Sequence, residues 1–171
     1  MLQKITNSNI IIDLKYATNE NFVKQKLYDN ADCYLHETAA FNIYKAALIA
    51  KNLNYKLKIY DAYRPINIQQ KLWDKFQDPK YVSDPKNGEL THCRGIAVDL
   101  TLTDLNGNEA DMGTDFDDFT QKAHHGSQDI SDNAKKNRVI LAGIMSLAGF
   151  EFLATEWWHY QLKNYHLYPI I

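Results

Sequence analysis

The order of helical and strand-like stretches sets the first limit on the fold of this chain. Three stretches carry apolar residues at helical spacing, and four are apolar runs or alternate apolar with polar residues, as strands do. The predicted helices are residues 37–53, 66–76 and 133–147, and the predicted strands are residues 10–16, 55–63, 96–102 and 150–162. Because the two kinds of element do not alternate regularly, we expect an α+β fold, an antiparallel sheet with flanking helices.

Proline and glycine mark the ends of several elements. Pro65 ends the second strand, because proline cannot donate a hydrogen bond to a strand ladder. Asn106-Gly107 predicts a tight turn, and Gly149 is placed to end the last helix as a C-cap. Residues 78–90 contain two prolines and are predicted to form a loop.

The length of 171 residues, without repeats or a flexible linker, predicts one domain spanning residues 1–171. A domain of this size buries roughly two-thirds of its unfolded surface and needs no disulfide. We therefore expect Cys33 and Cys93 to be free thiols. The net charge of -2, with mixed signs, excludes the concentrated basic face that is typical of nucleic-acid binding.

No apolar run approaches the roughly 18 residues that predict a membrane span. The opening residues contain neither a long apolar core nor a small-residue cleavage site, so we expect no signal peptide. Together these observations predict no membrane association and a cytoplasmic location.

The segment from His92 to Asp99 contains two residue types that bind zinc. A fully extended chain would hold them about 23 Å apart, so the chain must bend if both are to bind one ion. Gly95 is placed to allow that bend. On this segment alone, an ordinary surface or core histidine is the more common interpretation.

A second pattern is Glu156-Trp-Trp-His159-Tyr. In a helix Glu156 and His159 would share a face, whereas on a regular strand an offset of three places them on opposite faces. The aromatic run favours a strand, so we expect Glu156 in a turn just before it, moving protons, and His159 as a third metal ligand. The alternative is an aromatic strand that packs in the core, which we do expect of Trp157, Trp158 and Tyr160.

Two histidines and one aspartate leave a coordination position open for water, which is typical of a catalytic zinc site. Arg64, fixed by the proline behind it, is suited to stabilise an oxyanion, although a surface or salt-bridged arginine is the alternative. The remaining histidines are interpreted as surface or structural residues; they are His36, His124, His125 and His166.

Four blocks of sequence, taken in order, resemble the D-alanyl-D-alanine dipeptidase (VanX-type) family of zinc D,D-peptidases. They are Tyr60-Asp-Ala-Tyr-Arg-Pro, His92-x-x-Gly-x-Ala-x-Asp-Leu-Thr-Leu, Met112-Gly-Thr-x-Phe-Asp and Glu156-Trp-Trp-His-Tyr. With Leu14-Lys-Tyr-Ala-Thr, the resemblance extends over nearly the whole chain. It implies the α+β fold that the zinc D,D-peptidases share with the hedgehog signalling domain.

The resemblance also implies an activity, which is zinc-dependent hydrolysis of D-Ala-D-Ala or a related dipeptide with one Zn2+ per chain. The implied roles are zinc ligands for His92, Asp99 and His159, a general base for Glu156, stabilisation of the tetrahedral intermediate for Arg64, and binding of the free amino group for Asp117 and Tyr16. A carboxylate that faces an ammonium group would reject longer peptides, whose amide nitrogen carries no charge.

Three departures from the family pattern bear on the substrate range. Leu90 stands where the family often has serine, Cys93 stands where serine or asparagine is common, and the loop 78–90 is short. Two other functions share much of this pattern: a peptidoglycan D,D-carboxypeptidase or endopeptidase, and a non-catalytic zinc-binding interaction domain. Glu156 and Arg64 favour an enzyme, because a binding module needs no base at that position.

Overall fold

The strands form a five-stranded sheet and a smaller two-stranded one. The computed structural model describes residues 1–171. Its strands are β1 (Leu2–Lys4), β2 (Ile10–Ile12), β3 (Tyr34–His36), β4 (Lys56–Asp61), β5 (Ala97–Thr103), β6 (Glu151–Leu153) and β7 (Glu156–Gln161). The main sheet has the order β2–β4–β5–β7–β6, and β1 pairs with β3. The predicted α+β class is confirmed, although the edge pair β2–β4 is parallel in a sheet that is otherwise antiparallel.

Three helices accompany the sheet, as the sequence predicts. They are α1 (Glu37–Asn52), α2 (Ile66–Lys75) and α3 (Asp132–Ala148). Helices α1 and α3 pack against each other, and they contact β4 and β5 respectively. A connected cluster of 36 buried apolar residues joins both helices to the main sheet. None of the helices is long and apolar enough to cross a membrane.

The ends of the two long helices follow from their local sequence. The Nδ1 atom of His36 accepts a hydrogen bond from the backbone N–H of Thr38 at the start of α1. Ser131 does the same for Ala134 at the start of α3, with a distance of 3.0 Å. Gly149 ends α3 with a φ of +103°, which confirms the predicted C-cap. These caps satisfy backbone groups that a helix leaves unpaired at its ends.

Two strand predictions are wrong in extent. The first strand stops at Ile12, and Tyr16 lies in a 3-10 turn, Lys15–Ala17. The chain turns there because the carbonyl of Tyr16 accepts hydrogen bonds from the N–H groups of Leu27 and Tyr28 rather than from a neighbouring strand. The predicted strand 150–162 is a hairpin of β6 and β7, whose turn consists of residues 154–155.

The predicted bend between His92 and Asp99 is confirmed. Gly95 has a φ of +66° and ends a 3-10 turn, His92–Arg94, just before β5. Its carbonyl accepts a hydrogen bond of 2.7 Å from the backbone N–H of His36. A Cβ atom at position 95 would lie 2.9 Å from that nitrogen, so the backbone conformation and the space both require glycine.

We therefore expect Gly95→Ala to lower the free energy of unfolding by about 2 kcal/mol, from left-handed strain and steric contact with the His36 backbone. Urea denaturation monitored by circular dichroism measures this change. Gly126→Ala is the matched control, because a Cβ atom there meets nothing within 4 Å. Equal stabilities of the two variants would contradict the assigned role of Gly95.

Candidate active site

The three residues predicted as metal ligands come together at one end of the β5–β7 pair. The Nε2 atom of His92 lies 3.3 Å from Asp99 Oδ2 and 3.3 Å from His159 Nδ1. His159 Nδ1 lies 3.0 Å from Asp99 Oδ1. All three residues are buried. Together they form a group whose atoms could hold a metal ion.

Regular strand pairing places two of these ligands, and the Gly95 bend adds the third. Asp99 in β5 lies directly opposite His159 in β7 in the antiparallel register. Residues opposite each other in such a pair have Cβ atoms only about 4.5–5.5 Å apart, so their side chains meet on one face. His92 reaches the same place because the chain reverses at Gly95.

Each imidazole is oriented by a hydrogen bond on its far side. His92 Nδ1 lies 2.7 Å from the carbonyl oxygen of Ala62, which can only accept, so Nδ1 carries the proton. His159 Nε2 donates to Gln161 Oε1 at 3.0 Å. The unprotonated nitrogen of each neutral ring therefore faces Asp99, which is the arrangement that metal-binding histidines have.

The charges of the ligands interact strongly. Burial alone raises the pKa of Asp99, but the adjacent His92 and His159 rings outweigh it and hold that pKa well below its usual range. Burial lowers the pKa of His92, and the carboxylate of Asp99 more than compensates, so the net shift is upward. The carboxylate is thus held in its ionised form, as a metal ligand requires.

Glu156 points into the same space. Its Oε2 atom lies 4.0 Å from His159 Nδ1. The side chains of Glu156 and His159 converge because the β6–β7 register shifts between Phe152 and Leu153. We predicted that Glu156 lies in the turn before the strand, and this is wrong, because Glu156 is the first residue of β7. Burial, with a further contribution from Asp99, raises the pKa of Glu156 to about 8.

Arg64 is buried at the wall of the site and forms a salt bridge with Asp61, so the surface alternative is wrong and the salt-bridged one describes its contacts in the structure. Its Nε and Nη2 atoms donate to Asp61 Oδ2 at 2.9 and 2.6 Å, and Nη1 donates to Gln69 Oε1 at 2.8 Å. These bonds use three of the five N–H donors of a guanidinium group. Two donors remain for another acceptor, and the guanidinium carbon lies 5.1 Å from the centre of the Tyr16 ring.

Asp117 and Tyr16 contact each other in the wall of the same cavity. The Tyr16 hydroxyl donates to Asp117 Oδ2 at 3.0 Å. Burial, together with the charge of Asp99, raises the pKa of Asp117 to about 8. Burial also raises the pKa of Tyr16, which keeps the hydroxyl protonated as a donor. The cavity thus brings the carboxyl groups of Asp99, Glu156 and Asp117 together, while the guanidinium group of Arg64 in its wall is already paired with Asp61.

All seven predicted site residues line one cavity of about 510 Å³. They are Tyr16, Arg64, His92, Asp99, Asp117, Glu156 and His159. The loop 78–90, predicted from its prolines, supplies residues 79–84 and 87–90 of the cavity wall. Leu90 is buried and has a φ of +55°, so an apolar side chain occupies that part of the wall.

Three supporting residues were not predicted. Asp61 and Gln69 hold Arg64, and Gln69 also donates to the Ser83 carbonyl in the loop 78–90. Gln161 orients His159, and its position two residues further along the same strand was a usable signal. Asp61 lies in the same motif as Arg64, but nothing in the sequence pointed to Gln69.

The two cysteines are free thiols, and two of the remaining histidines have structural roles. Cys33 and Cys93 are buried free thiols, as predicted. Burial raises the pKa of the Cys93 thiol to about 11, which keeps the thiol protonated beside His92. His36 caps α1, and the His125 ring packs against Phe152, with centroids 4.6 Å apart.

Comparison with known proteins gives one consistent family. The peptidase M15 family model, described as D-ala-D-ala dipeptidase, matches residues 2–169. A D-alanyl-D-alanine dipeptidase of Escherichia coli (strain K12) is 40% identical over 160 residues, which cover 94% of this chain and 82% of the relative.

Two further relatives carry the same name. The protein from Enterococcus faecalis (strain ATCC 700802 / V583) is 31% identical and covers 88% of this chain and 84% of its own. The protein from Enterococcus faecium is 32% identical, with 89% and 85% covered. Because the family match spans nearly all residues and these relatives align over most of their length, the chain belongs to the D-Ala-D-Ala dipeptidase family of M15 peptidases.

Proposed function

We propose that this protein is a zinc-dependent dipeptidase that hydrolyses D-Ala-D-Ala or a closely related D,D-dipeptide. The observation that carries the proposal is the convergence of His92, Asp99 and His159, with the Glu156 carboxyl group 4.0 Å from His159. Family membership supports the reaction class, because the related proteins are D-alanyl-D-alanine dipeptidases. Each of the seven predicted site residues has a role in the proposed reaction.

The donor set fits zinc. Two ligands of a tetrahedral zinc ion, each about 2.0–2.1 Å from the metal, lie about 3.3 Å apart. The separations of 3.0 and 3.3 Å between the atoms of His92, Asp99 and His159 agree with that value. Zinc held by these residues supplies a Lewis acid, which lowers the pKa of a water molecule to about 7 and polarises a carbonyl group.

Glu156 is the proposed general base and acid. It accepts a proton from the attacking water and delivers it to the amine that leaves when the peptide bond breaks. The carboxyl group must be ionised to accept the proton. Burial and the neighbouring carboxyl groups raise the pKa of Glu156. A metal cation bound nearby would lower that pKa again and favour the ionised form.

Arg64 is proposed to stabilise the negative charge that develops on the carbonyl oxygen. Its guanidinium group is fixed in advance by Asp61 and Gln69, so little reorganisation accompanies the reaction. The two N–H donors that these partners leave free are the ones available to an oxyanion.

Asp117 and Tyr16 are proposed to bind the free ammonium group of the dipeptide. An ammonium group supplies the positive charge that the Asp117 carboxyl lacks, while the Tyr16 hydroxyl fixes the orientation of that carboxyl. Binding of the ammonium group by Asp117 favours dipeptides over the long chains that a carboxypeptidase or endopeptidase cleaves, because an internal amide nitrogen carries no charge.

Glu156→Ala should retain zinc and lose turnover by about 10²- to 10⁴-fold or more, because only the proton transfer is removed. Metal analysis and kcat on D-Ala-D-Ala measure the two effects. Glu151→Ala is the control, since Glu151 is exposed and pairs with Lys163. Near-normal turnover of the Glu156 variant would exclude the assigned role.

His92→Ala should lose both zinc and activity, because one of three ligands is removed. Atomic absorption of the purified protein gives the metal content, and circular dichroism confirms that the variant folds. His166→Ala serves as the control, since His166 is exposed and outside the cavity. A His92 variant with a full complement of zinc contradicts the proposed ligand set.

Asp117→Asn should raise the KM for D-Ala-D-Ala by about 10- to 100-fold, the expected loss of one charge-assisted hydrogen bond. Asparagine keeps the size of the side chain and tolerates the φ of +60° at this position. N-acetyl-D-Ala-D-Ala, which has no ammonium group, is measured in parallel. If the KM for the free dipeptide stays unchanged, the carboxypeptidase alternative is favoured.

A further inference from the structure

We propose that Arg138 is a positioning residue, which holds residues 112–124 in place and thereby sets the preference for a free amino group. These residues are called the Asp117 segment here. The inference rests on the proposed function, because it concerns the residue assigned to the substrate's ammonium group. Arg138 itself lies outside the cavity.

The backbone conformation of Asp117 needs support from other parts of the chain. Its φ of +60° lies in the left-handed region, which residues other than glycine rarely occupy unless their surroundings impose it. The Asp117 segment contains no strand, and its one regular element is a 3-10 turn at Gln121–Ala123. The conformation of Asp117 must therefore be imposed by contacts from other elements.

Arg138 contacts both ends of the segment. Its Nε atom donates to the carbonyl oxygen of Met112 at 2.7 Å, and its Nη1 atom donates to the carbonyl oxygen of His124 at 2.8 Å. The guanidinium group is planar and rigid, so it fixes the separation of the two carbonyls between which Asp117 lies. Lysine offers no such fork.

The burial of Arg138 supports a dedicated role. The side chain is 1% exposed, and its Nη2 atom has no hydrogen-bond partner. A buried charge is costly unless polar groups compensate it, and here two backbone carbonyls and the Trp157 ring, 5.9 Å away, are the compensating partners. Loss of the arginine would release both carbonyls at once.

Two neighbouring hydrogen bonds also hold the Asp117 segment in place. Asn137 Nδ2 donates to the carbonyl oxygen of Asp111 at 2.8 Å, just before the segment. The indole N–H of Trp157 donates to Thr114 Oγ1 at 2.8 Å, inside it. Trp157 follows Glu156 directly, so the segment is tied both to α3 and to the strand that carries the proposed base.

The experiment compares zinc-loaded wild type, Arg138→Met and Arg138→Lys. The specificity ratio is kcat/KM for D-Ala-D-Ala divided by kcat/KM for N-acetyl-D-Ala-D-Ala. We expect both variants to keep their zinc and to lose at least tenfold in this ratio, mainly through a higher KM for the free dipeptide. Hydrogen exchange at the amides of residues 112–124 should become at least tenfold faster.

Leu141→Ala is the control for a general loss of stability. Leu141 is buried in the same helix and donates no hydrogen bond to the Asp117 segment. This variant should lower Tm and keep the specificity ratio. If Arg138→Met does not fold, Arg138→Lys carries the test, because it retains the charge and most of the side-chain volume.

Two outcomes separate this inference from the proposed function. A folded Arg138 variant that keeps the wild-type ratio and the wild-type exchange rates in residues 112–124 overturns the role of Arg138. A wild-type enzyme that shows no preference for the free dipeptide overturns the role assigned to Asp117, and with it the effect of Arg138 on substrate preference. In that case the exchange rates still decide whether Arg138 holds the segment.

Discussion

Asp99 and His159 face each other across β5 and β7, and the organisation of the site follows from that contact. A buried carboxylate is costly unless charged or polar groups surround it. When the ring nitrogens that face Asp99 are protonated, the rings of His92 and His159 provide those groups, and each ring is oriented in turn by a carbonyl or amide oxygen on its far side. A metal ion held by the three residues would replace those protons and compensate the same carboxylate.

Regular secondary structure could not have gathered the remaining groups. Residues three apart on a strand point to opposite faces, yet Glu156 and His159 converge because the β6–β7 register is irregular. Gly95 reverses the chain at His92, and Asp117 adopts a left-handed conformation. These departures from regular backbone geometry cost free energy. They occur around the cavity, where the proposed reaction needs side chains that a regular strand ladder would keep apart.

The sequence predicted the parts of the fold that local rules determine. The extent of α1 and α3, the cap at Gly149 and the bend at Gly95 all follow from spacing and from backbone preference. The error at residues 10–16 has a long-range cause, since Leu27 and Tyr28 bond to the Tyr16 carbonyl. The partners of Arg64 lie close to it in the sequence, three residues before it and five after it, but sequence spacing alone does not show that their side chains turn toward the guanidinium group.

Different parts of the chain support the two groups of residues in the cavity wall. Asp99 and His159, two of the proposed metal ligands, lie on paired strands, whose register leaves little freedom, whereas Asp117 lies on an irregular segment tied to α3 by side-chain hydrogen bonds. Loops on a rigid scaffold tolerate change better than the scaffold does. Under the proposed roles, a change in the contacts of residues 112–124 would alter substrate preference without disturbing His92, Asp99 or His159.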